Sequence, residues 1–198
     1  MSRVRRLTGT VNVGEAPLVV DVSPDGSLAL VTCADGASTR SRHRTAASAR
    51  LRAELRHPHG VSLTPDGKRA YVTDTERDAV LVLESSSLRS IGRIPVGATP
   101  WNTAFKRRRF RRLRDQRQRQ HRLGIDTASQ RVRKTIALGS SNGQINQIPT
   151  AIARSPSGSI WAACNTSGSL VVIDPSTNTV TKSIEIGLAD EPTGIAFA

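Results

Sequence analysis

The chain has 198 residues, 37% of them apolar and 3% aromatic, with 29 Lys and Arg against 16 Asp and Glu for a formal net charge of +13. That length can bury a substantial core in one domain, and no apolar run approaches the roughly 18 residues a spanning helix requires. Residues 1–6 are basic, but 7–13 are too polar and too short for a signal-peptide core, so no export signal is expected in the chain as written.

Taken in order, residues 7–13 (LTGTVNV) read as an outer strand without partners of its own. Residues 19–32 (VVDVSPDGSLALVT) read as two strands about a tight turn. In that turn Pro24 presets φ, Asp25 can bond its own backbone, and Gly26 tolerates the exit geometry. Residues 38–44 (STRSRHR) then break the pattern. Residues 60–73 repeat the first phrase as GVSLTPDGKRAYVT, with Ser23 and Thr64 standing 41 positions apart. Residues 79–83 (AVLVL) supply a third strand and 90–96 a fourth, and VGATP at 96–100 carries the chain back to begin again.

Residues 99–105 (TPWNTAF) open a third unit and 125–138 (IDTASQRVRKTIAL) complete it, but 106–123 reads KRRRFRRLRDQRQRQHRL and holds no strand pattern. Residues 140–147 (SSNGQINQ) form an inserted polar loop; no lysine or helix follows, so it is not a phosphate cradle. Residues 151–163 (AIARSPSGSIWAA) and 171–187 (VVIDPSTNTVTKSIEIG) make a fourth unit, and 193–198 restart the phrase as an inner strand.

A period near 41 residues with four short strands and one radial return per unit describes a propeller blade. The expected fold is all-β, a partial β-propeller of about four antiparallel four-stranded blades with the third disrupted. It forms one repeat domain over 1–198, with units at 14–55, 56–97, 98–139 and 149–188 and the start of another at 192–198. Blade faces are apolar, so an open arc is expected to self-associate. Cys33 and Cys164 hold the same place in the first and fourth units, too far apart in a stacked array for a mutual disulfide, and are read as partly buried structural thiols.

At Tyr71, Val72, Thr73 and Asp74 the chain resembles the YVTN-type β-propeller repeat family. The likeness extends to the phrase PxxIAxSPxG at 149–158 and to 171–187, and it covers most of 9–198. The resemblance implies a ring commonly of seven blades, so four units imply an incomplete ring or a fragment of a longer parent. It also implies a protein that is often exported or cell-surface. Some relatives carry quinone-linked, lactone-cleaving or streptogramin-cleaving chemistry.

The basic run has two readings. Clustered arginines can neutralise phosphates on nucleic acid or another anionic surface. Alternatively, codons permitted for 106–123 give SADGSAAYVTNANDNTVS when read one base later, which is the missing half blade. Gln116, Gln118 and Gln120, each followed by a codon beginning with C, can then become only Asn or Ser. Residues 106–123 hold ten basic residues and one acid, and 38–44 hold three arginines; without those twelve net charges the formal +13 falls to +1. The charge therefore belongs to the two suspect segments, and nucleic acid is not expected as a native partner. As written, 107–122 is expected to be mobile and protease-sensitive, and the third blade poorly packed.

Candidate chemistry is sparse. His57 and His59 flank Pro58 where an inner strand begins, and an HxH pair can give two metal ligands, but no third ligand accompanies them at a recognisable spacing. Trp101 and Asn102, and Asn146 and Gln147 before the fourth unit, stand where a channel mouth would open. His57, His59, Trp101, Asn102, Asn146 and Gln147 are thus the candidate binding rim, with no catalytic residue, metal or cofactor assigned. Trp161 takes the place of Tyr71 and is read as core. The function expected is a noncatalytic repeat scaffold, a binding or surface-associated protein or a fragment of one, with an unidentified ligand or protein partner. The alternatives are a lactonase-like or lyase-like enzyme at the channel mouth, and a polyanion binder acting through its arginines.

Overall fold

The computed structural model describes residues 10–34, 38–42, 45–49, 55–105, 111–116, 121–126, 131–137, 149–165, 167–187, 194, 195 and 197. Among these residues sixteen strands form four separate four-stranded sheets, with no helix. The first sheet contains β1 (Pro17–Val22), β2 (Leu28–Cys33), β3 (Ser38–Arg42) and β4 (Thr45–Ala49). The second contains β5 (Pro58–Leu63), β6 (Arg69–Asp74), β7 (Ala79–Glu84) and β8 (Ser90–Pro95). The third is built from β9 (Pro100–Phe105), β10 (Arg111–Gln116), β11 (His121–Asp126) and β12 (Arg131–Ala137), the fourth from β13 (Pro149–Arg154), β14 (Ile160–Cys164), β15 (Ser169–Asp174) and β16 (Thr179–Glu185). Each is an antiparallel meander in chain order.

Local chemistry sets the hairpins. The Gly67 N–H donates to the Thr64 carbonyl at 2.8 Å, the Thr64 hydroxyl reaches Asp66 Oδ1 at 2.5 Å, and Gly67 has φ of 68°. The Thr64 N–H bonds the Arg69 carbonyl at 2.9 Å, so four residues, 65–68, connect the strands around this type I turn, and its left-handed place suits glycine. Ser23, Asp25 and Gly26 repeat it, with Gly26 N–H to the Ser23 carbonyl at 2.8 Å and Ser23 Oγ to Asp25 Oδ1 at 2.5 Å. The fourth sheet keeps the turn, Gly158 N–H to the Ser155 carbonyl at 2.9 Å, but has Ser157 where the others have aspartate.

Hydrogen bonds from the Ser23 and Ser27 hydroxyls and the Ser27 N–H hold the Asp25 carboxyl down at about 2. Asp66 is also lowered: burial opposes the shift, but the Thr64 hydroxyl, the Lys68 N–H and the Lys68 charge outweigh it. Both carboxyls titrate below their unfolded values, so their support for the fold is present above the unfolded carboxylate range and is lost as pH falls through the folded values, about 2 for Asp25. The urea midpoint is therefore expected to drop across that window, and to drop less in Asp25→Asn. Parallel curves for the two proteins would contradict the assignment.

Packing between sheets follows the alternation of side chains along a strand. In β7, Leu81 and Leu83 join Leu28 and Leu30 of the first sheet in one apolar cluster, while Val80 and Val82 join Tyr71, Ile94 and Phe105 in another. The second sheet is therefore buried on both faces, which explains the unbroken apolar run AVLVL; each such Leu or Val contributes roughly 1.5–3 kcal/mol of burial. Among the described residues no sheet covers the same register positions in β1. Val20 and Val22 are 60% and 52% exposed, where Val61 and Leu63 are 5% and 6%. This apolar stripe is the open face expected from the sequence.

The inner strands β1, β5, β9 and β13 touch one another in that order and line the inside of the arc. Cys33 and Cys164 are fully buried at equivalent places, more deeply than expected, and neither is in a disulfide.

Three expectations change. Residues 10–13 carry no strand, and 194, 195 and 197 carry none either, so the described parts of the two terminal strands are absent. The basic run does not abolish pairing, since 111–116 and 121–126 pair in the third sheet, while 106–110 and 117–120 of the same run lie outside the described residues. The short arginine segment 38–42 is likewise paired as β3. Among the described residues no helix is long and apolar enough to cross a membrane.

Candidate functional site

Proline marks the start of every inner strand, at Pro17, Pro58, Pro100 and Pro149, and immediately after each proline the pairing with the second strand shifts register. Bulges of this kind re-aim side chains at sheet ends. The residues set there are Leu18, His59, Trp101 and Thr150, one from each unit, and with Asn102 they define the candidate rim.

His59 stacks on Trp101 with ring centroids 4.3 Å apart and an interplanar angle of 29°. Both are half-buried, and they come from neighbouring sheets. Asn102 extends the rim toward the fourth sheet by donating through Nδ2 to the Thr150 carbonyl at 2.7 Å. His57 takes a different role. Its Nδ1 lies 2.9 Å from Thr75 Oγ1, and that hydroxyl also donates to the His57 carbonyl at 3.0 Å. A hydroxyl tied to a backbone carbonyl closes a turn and is not an activated nucleophile. The two histidines are thus used separately, and among the described residues no group of three or more His, Cys, Asp and Glu assembles that could hold a metal. Asn146 and Gln147 lie outside the described residues.

A buried polar layer fixes the rim from behind. The Thr73 hydroxyl accepts from the Gly60 N–H at 2.7 Å and donates to the Trp101 carbonyl at 2.8 Å, and Thr32 donates in the same way to the His59 carbonyl at 2.5 Å. Both threonines are fully buried. Deeper in the arc, Asp21 Oδ2 accepts from the Leu63 N–H and Ser62 Oγ donates to the Thr103 carbonyl, each at 2.7 Å. Asp74, 1% exposed, accepts from the N–H groups of Arg56 at 2.9 Å and of His57 and Arg77 at 3.3 Å, so one carboxylate ties the approach to β5 to the turn after β6.

Gly60 permits the close approach of β5 to β9. A Cβ there would overlap the Trp101 carbonyl oxygen and lie 2.7 Å from Asn102 Oδ1 and 2.9 Å from Asn102 Cα.

Sequence reasoning picked out His59, Trp101 and Asn102, which the fold does bring together. It passed over Leu18 and Thr150, although the recurring proline marks them, and over Thr32 and Thr73, although both end the same Val-Thr pair. Trp161 is half-buried rather than core. Chemically, the rim offers a flat imidazole–indole surface flanked by amide and hydroxyl groups, suited to holding a ligand by stacking and hydrogen bonds.

Meandering four-stranded sheets stacked through their faces, with inner strands lining one side, define the β-propeller class. Solved structures agree on the fold. The chain is similar to Kuenenia stuttgartiensis hydrazine synthase, with TM-score 0.71 and 23% identity over 90% of this chain and 52% of that one. It is similar to a catalytically inactive virginiamycin B lyase from Staphylococcus aureus with quinupristin, with TM-score 0.79 and 14% identity over 94% and 61%. A third likeness is to the Cps50 (Swd1) β-propeller domain of Myceliophteria thermophila, with TM-score 0.74 and 17% identity over 91% and 58%. The chain thus spans less than two thirds of the length of each. No protein-family model matches the chain, and no curated protein matches it.

Proposed function

We propose that the chain is a YVTN-type β-propeller repeat scaffold, noncatalytic and surface-associated, that holds a ligand at the mouth rimmed by Leu18, His59, Trp101, Asn102 and Thr150. The observation that carries the binding reading is the half-buried His59–Trp101 stack set between two sheets at bulged strand starts. The motif assignment is supported by the work of its residues in the second unit: Tyr71 packs on the third sheet, Thr73 bonds across to it, and Asp74 closes the turn. A lyase-like reading has one observation in its favour, the fold shared with virginiamycin B lyase.

Fluorescence separates the two, because only Trp101 and Trp161 emit as tryptophans. Screening small molecules, quinupristin included, is expected to yield binders whose quenching is lost in Trp101→Phe and weakened about tenfold or more in His59→Ala, with ligand mass unchanged after long incubation. Conversion of a bound compound would replace the scaffold reading with the enzymatic one. Quenching unaffected by either variant would remove the mouth as the site.

A further inference from the structure

The third sheet pairs in the same register as the second. In the second, Ala70, Tyr71, Val72 and Asp74 stand opposite Leu63, Ser62, Val61 and Pro58. In the third, Arg112, Leu113, Arg114 and Gln116 stand opposite Phe105, Ala104, Thr103 and Pro100. Each member of the second set is 42 residues beyond its counterpart in the first. The next strand keeps the offset, with Asp115 opposite Arg122 and Arg111 opposite Asp126 where the second sheet has Thr73 opposite Val80 and Arg69 opposite Glu84. No residue has been gained or lost between Phe105 and Asp126 relative to the second unit. An added polyanion-binding loop would have lengthened this stretch.

The register also places Arg112, Arg114 and Arg122 where the second sheet has Ala70, Val72 and Val80, none of them more than 1% exposed. At register positions buried in the second sheet an arginine must give up water that alanine and valine never held. These are the wrong residues for a conserved backbone path.

Reading permitted codons one base later repairs the mismatch position by position. The shifted phrase SADGSAAYVTNANDNTVS puts alanine at 112, tyrosine at 113, valine at 114, threonine at 115 and asparagine at 116, matching Ala70, Tyr71, Val72 and Thr73 and supplying an amide for Asp74. It puts valine at 122, matching Val80. The threonine falls where Thr32 and Thr73 bond to the next inner strand, so the between-blade series would run on into the third unit. Its first residues, SADG, match the turn formed by Thr64, Pro65, Asp66 and Gly67.

We propose that residues 106–123 are a blade segment translated one base out of frame, with a compensating shift at its end. The polybasic run is then a by-product of coding and not a ligand site. Two compensating shifts conserve residue number, which accounts for the constant offset, and this holds whatever the mouth binds.

The native coding DNA across 106–123 is the direct test. The shifted frame should read as strand and turn residues with the Tyr-Val-Thr-Asn phrase at 113–116, and a stop codon or charged residues there would overturn the proposal. At the protein level, replacing 106–123 by the shifted phrase in the full chain is expected to raise Tm by about 5 °C or more and to abolish retention on heparin. A smaller variant, Arg112→Ala, Arg114→Val and Arg122→Val together, should also raise Tm. A fall in Tm in the triple variant would overturn the assignment even if the larger replacement failed to fold.

Discussion

Gly60→Ala is expected to lower stability by about 2–3 kcal/mol and to shift Trp101 emission to the red. The added methyl has nowhere to go. Two of the three atoms it meets, the Trp101 carbonyl oxygen and Asn102 Cα, are backbone, and that carbonyl is held by the Thr73 hydroxyl. Relief therefore requires β5 and β9 to separate, which stretches the Thr73 bonds and opens the His59–Trp101 stack. A second glycine provides the control. Gly26 has φ of 71° and nothing within 4 Å of an added Cβ, so Gly26→Ala carries conformational strain alone, about 1 kcal/mol. Urea unfolding of both variants decides the matter: if Gly60→Ala were no worse than Gly26→Ala, the inner strands could not approach as closely as described.

The contrast between these glycines also shows what the sequence could reveal. Gly26 was legible because its constraint is local: Pro24, Asp25 and Gly26 spell a turn by themselves. The strands of the second unit were equally legible, since the alternation in GVSL and AYVT and the apolar run AVLVL are properties of short segments. Expected and observed limits agree within two residues there, 60–63 against Pro58–Leu63 and 79–83 against Ala79–Glu84. Gly60, Thr32 and Thr73 were not legible, because their partners are on the next sheet, 27 and 28 residues away for the two hydroxyls. No local pattern announces a bond that depends on how two blades are stacked.

The rim was half legible for the same reason. The prolines mark where each inner strand begins, but which side chain faces the mouth is settled by the register shift after them. The third unit shows the reverse limit. Its side-chain pattern gave no strands, yet flanks of correct length impose the pairing register on the backbone.

Tyr71→Ala is expected to cost about 3–5 kcal/mol, and Trp161→Ala, at the same register position, only about 1 kcal/mol. Tyr71 stands opposite Ser62 and Trp161 opposite Ala153, the same place in their sheets. Each meets a phenylalanine edge-on: Tyr71 and Phe105 have centroids 5.4 Å apart at 76°, Trp161 and Phe197 5.7 Å apart at 69°. The geometry of the two pairs is nearly the same, so the edge contact, about 0.5–1.5 kcal/mol, cannot separate them. Burial can. Tyr71 is fully buried among Val80, Val82, Ile94 and Phe105, whereas Trp161 is half-buried and Phe197 is 38% exposed. Removing Tyr71 leaves a hole between two sheets, while the space vacated by Trp161 is reached by water. Tyr71→Phe keeps the ring and is expected to stay within about 1 kcal/mol of the parent. Equal losses for Tyr71→Ala and Trp161→Ala in urea titrations would mean that the far face of the fourth sheet is covered as fully as that of the second, and would contradict the exposure of Phe197.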